Sequence, residues 1–277
     1  MLWGTTGTAQ TFMSQTIHPM VVGATRLAVG GFFLLAILLI MKKIDFRGWP
    51  WQATLFSAAA MAAFQPLFFS SVRLTGIAIG TVVAIGSAPV FSGLVEWLFL
   101  KMRPTRVWIA ATVLAILGCA LLFITRDGVA VHPLGVVMSL GAGLMFAVYA
   151  LISKNVLKKV DTVPAVAVIF SISALMLLPF LFIFETEGLV TGNGIAVVLY
   201  LGIAATSIAY ILFSAGLKQI PSSSAVTLSL AEPLTAAVLS VAVVGEQLNA
   251  TSWAGVAMLL GGILVLTLSG RKLKADG

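Results

Sequence analysis

The chain has 277 residues, 60% of them hydrophobic and only 9% charged, with 16 Lys and Arg against 9 Asp and Glu for a net charge of +7; its mean hydropathy is +1.11. Soluble domains carry about 25% charged residues, so a single soluble domain and a disordered chain are excluded. The lone cysteine, Cys119, lies in an apolar run and rules out a disulfide scaffold.

A hydrocarbon core about 30 Å thick takes about 20 apolar helical residues to cross. Apolar runs divided by charges and by Pro/Gly breaks predict ten such segments, at roughly 2–17, 19–41, 50–71, 76–100, 107–124, 133–153, 163–184, 194–216, 222–244 and 252–269. No basic stretch precedes the first segment and no small-residue cleavage site follows it, so no cleavable signal peptide is expected.

The first segment is polar for a lipid-facing helix, with Thr5, Thr6, Thr8, Gln10 and Thr11, a composition suited to lining a wet cavity. Trp3, Gly7, Gln10 and Ser14 recur at helical spacing on one face. His18-Pro19 opens the second segment, and Arg26 lies within it, roughly one third of the way across at about 1.5 Å per residue. Arg26 suits a substrate carboxylate through its guanidinium fork; snorkelling to the interface or bonding a helix end are its alternatives. Gln65-Pro66 in the third segment pairs a polar side chain with a helix break, and Pro89 interrupts the fourth. Glu96 stands about one turn from Lys101, where an interfacial ion pair is expected.

His132-Pro133 opens the sixth segment. Tyr149 in the sixth segment and Tyr210 in the eighth lie deep, so their hydroxyls need partners; packing is the alternative to ligand contact for each. Glu232-Pro233 in the ninth segment is the sharpest local feature. A carboxylate at that depth costs about 2.5–3.5 kcal/mol on insertion scales and should face protein or water. The proline removes a hydrogen bond and clashes with the Ser229 carbonyl, freeing polar backbone to line a cavity. Glu232 then serves as substrate ligand or proton carrier, or else pairs structurally with a neighbouring amide. No P-loop, dinucleotide fingerprint, zinc-ligand set or nucleophile elbow appears, so neither metal nor cofactor is expected and the chain does not read as an enzyme.

With ten crossings both termini share a side. On it fall Lys42, Lys43, Arg47, Lys101, Arg103, Arg106, Lys154, Lys158, Lys159, Lys218, Arg271, Lys272 and Lys274, thirteen of the 16 basic residues; Arg73 and Arg126 fall opposite and Arg26 within. The positive-inside bias makes that side cytoplasmic, and it accounts for the net charge without nucleic acid.

The halves also resemble each other. Pro89 and Pro233 lie 144 residues apart, and the same shift carries Phe69-Ser70 onto Phe213-Ser214, Val82 onto Val226, Ala110 onto Ala254 and Gly118 onto Gly262. Five segments per half is an odd number, so the second half inserts upside down. The expected fold is an all-α polytopic membrane protein of ten transmembrane helices in two inverted five-helix repeats, at residues 1–126 and 127–277. Inverted repeats are a device of secondary transporters, in which two similar halves exchange conformations.

Several stretches carry a family resemblance: Leu2-Trp3-Gly4, Arg26-Leu27-Ala28, Tyr210 to Lys218, Pro221 to Ala225, Leu230-Ala-Glu-Pro233, Gly245-Glu246, Trp253-Ala-Gly255 and Gly262. In order and spacing they resemble the EamA-type branch of the drug/metabolite transporter superfamily across essentially the whole chain. The resemblance implies ten helices in two repeats and the export of amino acids, aromatic ones included, or of other small metabolites and drugs. The first half departs from the pattern, having Ala88 where the second has Glu232 and Met102 where it has Glu246.

Together these readings predict an inner-membrane exporter working by alternating access, with both termini cytoplasmic. Trp3, Gln10, Gln65, Tyr149, Tyr210 and Glu232 are the expected substrate contacts, Arg26 a substrate or structural charge, and Pro89 and Pro233 the hinges. Its partners are a small solute and the bilayer, with proton or membrane-potential coupling, as a monomer or weak homodimer. A passive channel, or a carrier of drugs or sugar derivatives, is the alternative. The cavity is expected among segments 1, 3, 4, 6, 8 and 9, with the fifth and tenth as scaffold.

Overall fold

A computed structural model describes residues 1–10, 12–13, 17–75, 77–123, 132–239, 241–242 and 249–275. The described residues form helices and turns, with no strand among them. In chain order the α-helices are α1 (Thr6–Gln10), α2 (Pro19–Ile40), α3 (Trp51–Thr75), α4 (Ile77–Leu100), α5 (Arg106–Phe123) and α6 (Pro133–Leu157). They continue as α7 (Thr162–Ile183), α8 (Gly192–Gly202), α9 (Ala209–Leu217), α10 (Ser222–Leu228), α11 (Ala231–Leu239) and α12 (Ala250–Ala275). Seven helical stretches among the described residues are long and apolar enough to cross a membrane, Gly192–Leu217 counting as one, and Arg106–Leu122 is a shorter apolar helix. The chain is a multi-pass membrane protein.

The first and ninth predicted segments are not single helices. The 2–17 stretch begins as a 3-10 turn, Leu2–Thr5, before α1; the Thr5 hydroxyl donates back to the Leu2 carbonyl at 2.7 Å, a local bond that competes with a regular helix. The 222–244 stretch breaks at Ser229 and Leu230 and restarts as α11. Its cause is Pro233, whose missing N–H and ring exclude a continuous ladder; the Glu232 N–H instead closes a tight turn on the Ser229 carbonyl at 2.8 Å. Pro89, by contrast, sits inside α4 without ending it. Gly245 and Glu246 lie outside the described residues.

Between α8 and α9 the helix widens into a π turn, Ile203–Ile208. The Ser207 hydroxyl lies 2.9 Å from the Gly30 carbonyl of α2 and 3.1 Å from that of Gly202.

In lipid the tails are as apolar as leucine, so close backbone approach and polar contacts hold helices together. The pair α5 and α12 is built that way: a Cβ on Gly118 would stand 2.6 Å from the Leu259 nitrogen, and one on Gly262 would stand 2.6 Å from the Ala111 carbonyl oxygen. The larger core gathers α2, α3, α6, α7, α9 and α10 around Met61, Tyr149, Phe170 and Leu217. Phe46 and Trp49 in the α2–α3 connection cluster with Trp51 at the start of α3, ring centroids 5.3 to 5.9 Å apart. Beside Lys42, Lys43 and Arg47 they form an aromatic anchor of the kind found at membrane interfaces.

Candidate functional site

Where the broken segments meet the continuous ones they leave a chamber of about 110 Å³. Trp3, Thr6 and Gln10 reach it from the first segment, Val22 and Arg26 from α2, and Phe64, Phe68 and Phe69 from α3. Ala84, Ile85 and Ala88 of α4, Phe146 of α6, Tyr210 of α9, Ser229 and Glu232 complete the wall. The expected helices supply it, and α2 joins them.

The aromatic side of the chamber is a packed cluster. The Trp3 ring lies 4.7 Å from Tyr210, 5.4 Å from Phe213 and 6.1 Å from Phe146, centroid to centroid, within the range of favourable ring pairs. Phe64 continues the cluster to Phe68 at 5.4 Å and to Phe146 at 5.9 Å. The spacing of Phe64 and Phe68 puts both on one face of α3.

The polar side holds the two charges. Arg26 donates through Nη2 to Gln65 Oε1 at 3.5 Å, and Gln65 Nε2 leans on the Met61 sulfur at 3.9 Å. Arg26 Nε, Trp3 Nε1 and Thr6 Oγ1 are buried with no hydrogen-bond partner among the described residues. Buried orphan donors are rare and each calls for an explanation; three belong to residues lining one chamber, where an acceptor-bearing solute would engage them. Glu232 faces the same space, and no hydrogen bond from a described residue reaches its carboxylate.

Gly4 fixes the spacing between the two broken segments. A Cβ there would stand 2.6 Å from the Glu232 carbonyl oxygen and from Thr235 Cβ, so the Leu2–Thr5 turn rests directly on the first turn of α11. Nothing larger than hydrogen fits.

Trp3, Gln10, Arg26, Tyr210 and Glu232 therefore meet in one chamber. Gln65, 1% exposed, stands behind Arg26 and holds it. Tyr149, also 1% exposed, stands behind Tyr210 at 5.9 Å. Pro233 is buried in the first turn of α11, one residue beyond the chamber wall. Thr6, Ser229 and the phenylalanines line the chamber although the sequence did not single them out; the first is one of several threonines, and the phenylalanines are apolar residues in apolar runs.

Glu96 departs from expectation: it makes no interfacial pair with Lys101 but is buried at 4% exposure, its Oε1 accepting from the Ser222 N–H. His18 takes the expected helix-start role, Nδ1 accepting from the Met20 N–H at 3.3 Å; its ring also stacks on Phe184 at 3.8 Å and meets Arg73. No cluster of three His, Cys, Asp or Glu suited to a metal ion is found among the described residues.

A multi-pass helical membrane protein with an amphipathic chamber among its helices has an architecture that suits a transporter of small solutes. The sequence profile of the EamA-like transporter family matches residues 1–124 and again 133–268. The chain belongs to that family and, with it, to the drug/metabolite transporter superfamily. It is 46% identical over 272 residues to the uncharacterized transporter YwfM of Bacillus subtilis, covering 98% of this chain and 92% of that one. It is also 29% identical over 268 residues to the threonine/homoserine exporter RhtA of Escherichia coli K12, covering 94% and 87%. A crystal structure 22% identical superposes with a TM-score of 0.85, covering 98% of this chain and 94% of its own; that likeness carries the fold.

Proposed function

We propose that this transporter exports small amphipathic metabolites, amino acids first among them, by alternating access through the chamber. The carrying observation is the pairing of chemistries there: orphan donors of Arg26, Trp3 and Thr6 for a carboxylate, the Glu232 carboxylate for an ammonium, and rings of Trp3, Tyr210 and Phe64 for an apolar side chain. Likeness to an exporter of threonine and homoserine favours the same class. Gln10 adds an amide to the polar side, Gln65 orients Arg26, and Tyr149 buttresses Tyr210.

Ten crossings in two inverted repeats, 1–126 and 127–277, complete this reading. Packing supports it: Gly118 lies against Gly255 and Leu259, and Gly262 against Ala111 and Ala115. Shifting Ala111 and Ala115 by 144 residues gives Gly255 and Leu259, so the two glycines exchange partners as a two-fold axis between α5 and α12 would require. Similarly Val29 packs on Gly202, while the Ser173 hydroxyl bonds the Ala58 carbonyl at 3.0 Å; Val29 and Ser173, like Ala58 and Gly202, are again 144 residues apart. The protein then sits in the inner (plasma) membrane with both termini cytoplasmic, works as a monomer or weak homodimer, and couples to protons or membrane potential. The broken ninth segment at Pro233 is its hinge, and Pro89 the repeat-equivalent bend.

Flux of an amino-acid panel in proteoliposomes, with and without a pH gradient, tests the proposal. Saturable uptake stimulated by the same amino acid on the far side is expected. Unsaturable flux without counterflow would make the protein a channel instead.

A further inference from the structure

Two charged side chains outside the chamber converge on one short turn. Glu96, near the end of α4, accepts through Oε1 from the Ser222 N–H, and Lys154, in the last turn of α6, donates through Nζ to the Ile220 carbonyl. Ile220 lies in the connection between α9 and α10, and Ser222 is the first residue of α10. Glu96 and Ser222 are both buried, and the Lys154 ammonium grips the same turn two residues earlier, at the Ile220 carbonyl. A buried carboxylate is costly unless bonded and paired; here it has a backbone donor and a nearby ammonium.

The clasped turn lies over a route to the chamber. A second cavity, of about 310 Å³, shares Trp3 and Ser229 with the chamber and is lined also by Ile220. From Ser222, α10 runs only to Leu228 before the break that leads into Glu232. A displacement of the turn is therefore transmitted by one rigid piece of seven residues to Ser229 in the chamber wall. Contacts of this kind are directional and exchange for water, unlike glycine-packed backbones, which have no alternative partner.

We infer that Glu96 and Lys154 form the latch that closes the chamber toward the end bearing most of the basic residues, and that its release lets α10 swing and opens that side. The inference rests on the transport reading given above. Glu96 and Lys154 touch no solute; they act through α10.

The test measures labelling of a Ser229→Cys reporter by a membrane-impermeant maleimide, in full-length Cys119→Ala protein in inside-out vesicles. Glu96→Gln and Lys154→Gln are each expected to raise the labelling rate roughly tenfold, the scale of one lost charge-assisted bond, and Lys154→Arg to leave it near the starting value. A Lys154→Cys/Ile220→Cys disulfide in the same background should slow labelling at position 229, read on the peptide that carries it so that the two thiols freed by reduction are not counted, until it is reduced, which keeps the test decisive if the glutamine variants fold poorly. Labelling indifferent to cross-linking and reduction overturns the latch, whatever the flux. Labelling that responds while counterflow is absent upholds the latch and overturns the carrier, leaving a gated channel.

Discussion

Between α5 and α12, Gly118 and Gly262 let two unbroken helices touch backbone to backbone. Around the chamber Gly4 does the same for the Leu2–Thr5 turn and α11, yet there the helices are broken: the first segment starts in a 3-10 turn and the ninth stops at Ser229. Close approach alone thus does not make a rigid pair. What differs is the length of ladder on each side of the contact. A continuous helix spreads a local clash over its whole length and cannot yield, whereas a piece of one or two turns flanked by irregular backbone can shift as a unit. The first region suits a scaffold and the second a moving part.

Gly118→Val breaks the comparison most severely. With the Leu259 nitrogen 2.6 Å from the new Cβ and no room on either helix, a loss of about 3 kcal/mol or more is expected, the upper range for overpacking. Monodisperse yield and the thermal midpoint in detergent read it. Second in size is Glu232→Gln, which keeps the shape of the α11 turn but removes the charge facing the chamber. Apparent substrate affinity should fall about 10- to 100-fold, as for a lost hydrogen bond to a charged group, while the midpoint stays put; full activity at all pH values would remove Glu232 from binding and coupling alike. Gly4→Ala places the same small clash as an alanine at Gly118 would, but on a piece that can move. Transport should drop about tenfold with less than about 1 kcal/mol lost, and a collapse of stability equal to that at Gly118 would erase the distinction drawn here.

The smallest effect concerns the end where α2 begins and α3 and α7 finish. Burial and the Arg73 guanidinium hold the His18 imidazole below the usual histidine range, so the folded protein binds that proton less readily than the unfolded chain. Stability from this site is complete above about pH 6.5, the unfolded value, and is lost as the pH falls toward the lowered folded value. The ring is partly solvated and its charge screened, so the midpoint should drop by only about a degree or two on acidification. His18→Asn, which keeps a helix-capping acceptor but does not titrate, should flatten that pH dependence.

The membrane class, the long apolar helices and the break at Glu232-Pro233 were legible because each stands out by composition, the first two from soluble chains and the third from its apolar background. For the same reason Trp3, Gln10, Arg26, Tyr210 and Glu232 stood out, and all five line the chamber. Gln65 and Tyr149 stood out equally, yet they stand one row behind it. Depth in a segment says that a polar group needs a partner; it does not say whether that partner is solute or protein. Phe64, Phe68 and Phe146 were invisible, because in a chain solvated by lipid an apolar side chain reads the same whether it faces tails, core or substrate. Glu96 was misread for a third reason: its partner is 126 residues away, and sequence offers only the neighbour Lys101.

The π turn at Ile203–Ile208 ends two residues before Tyr210. Such a turn holds one residue more than an α turn, and sliding that surplus along the chain by one position rotates everything it passes by about 100°. The helix from Gly192 to Leu217 thus carries a way to change the face Tyr210 presents without tilting or lengthening. Such a twist turns the Tyr210 ring against Trp3 and Phe170, whose centroids lie 4.7 and 4.5 Å away.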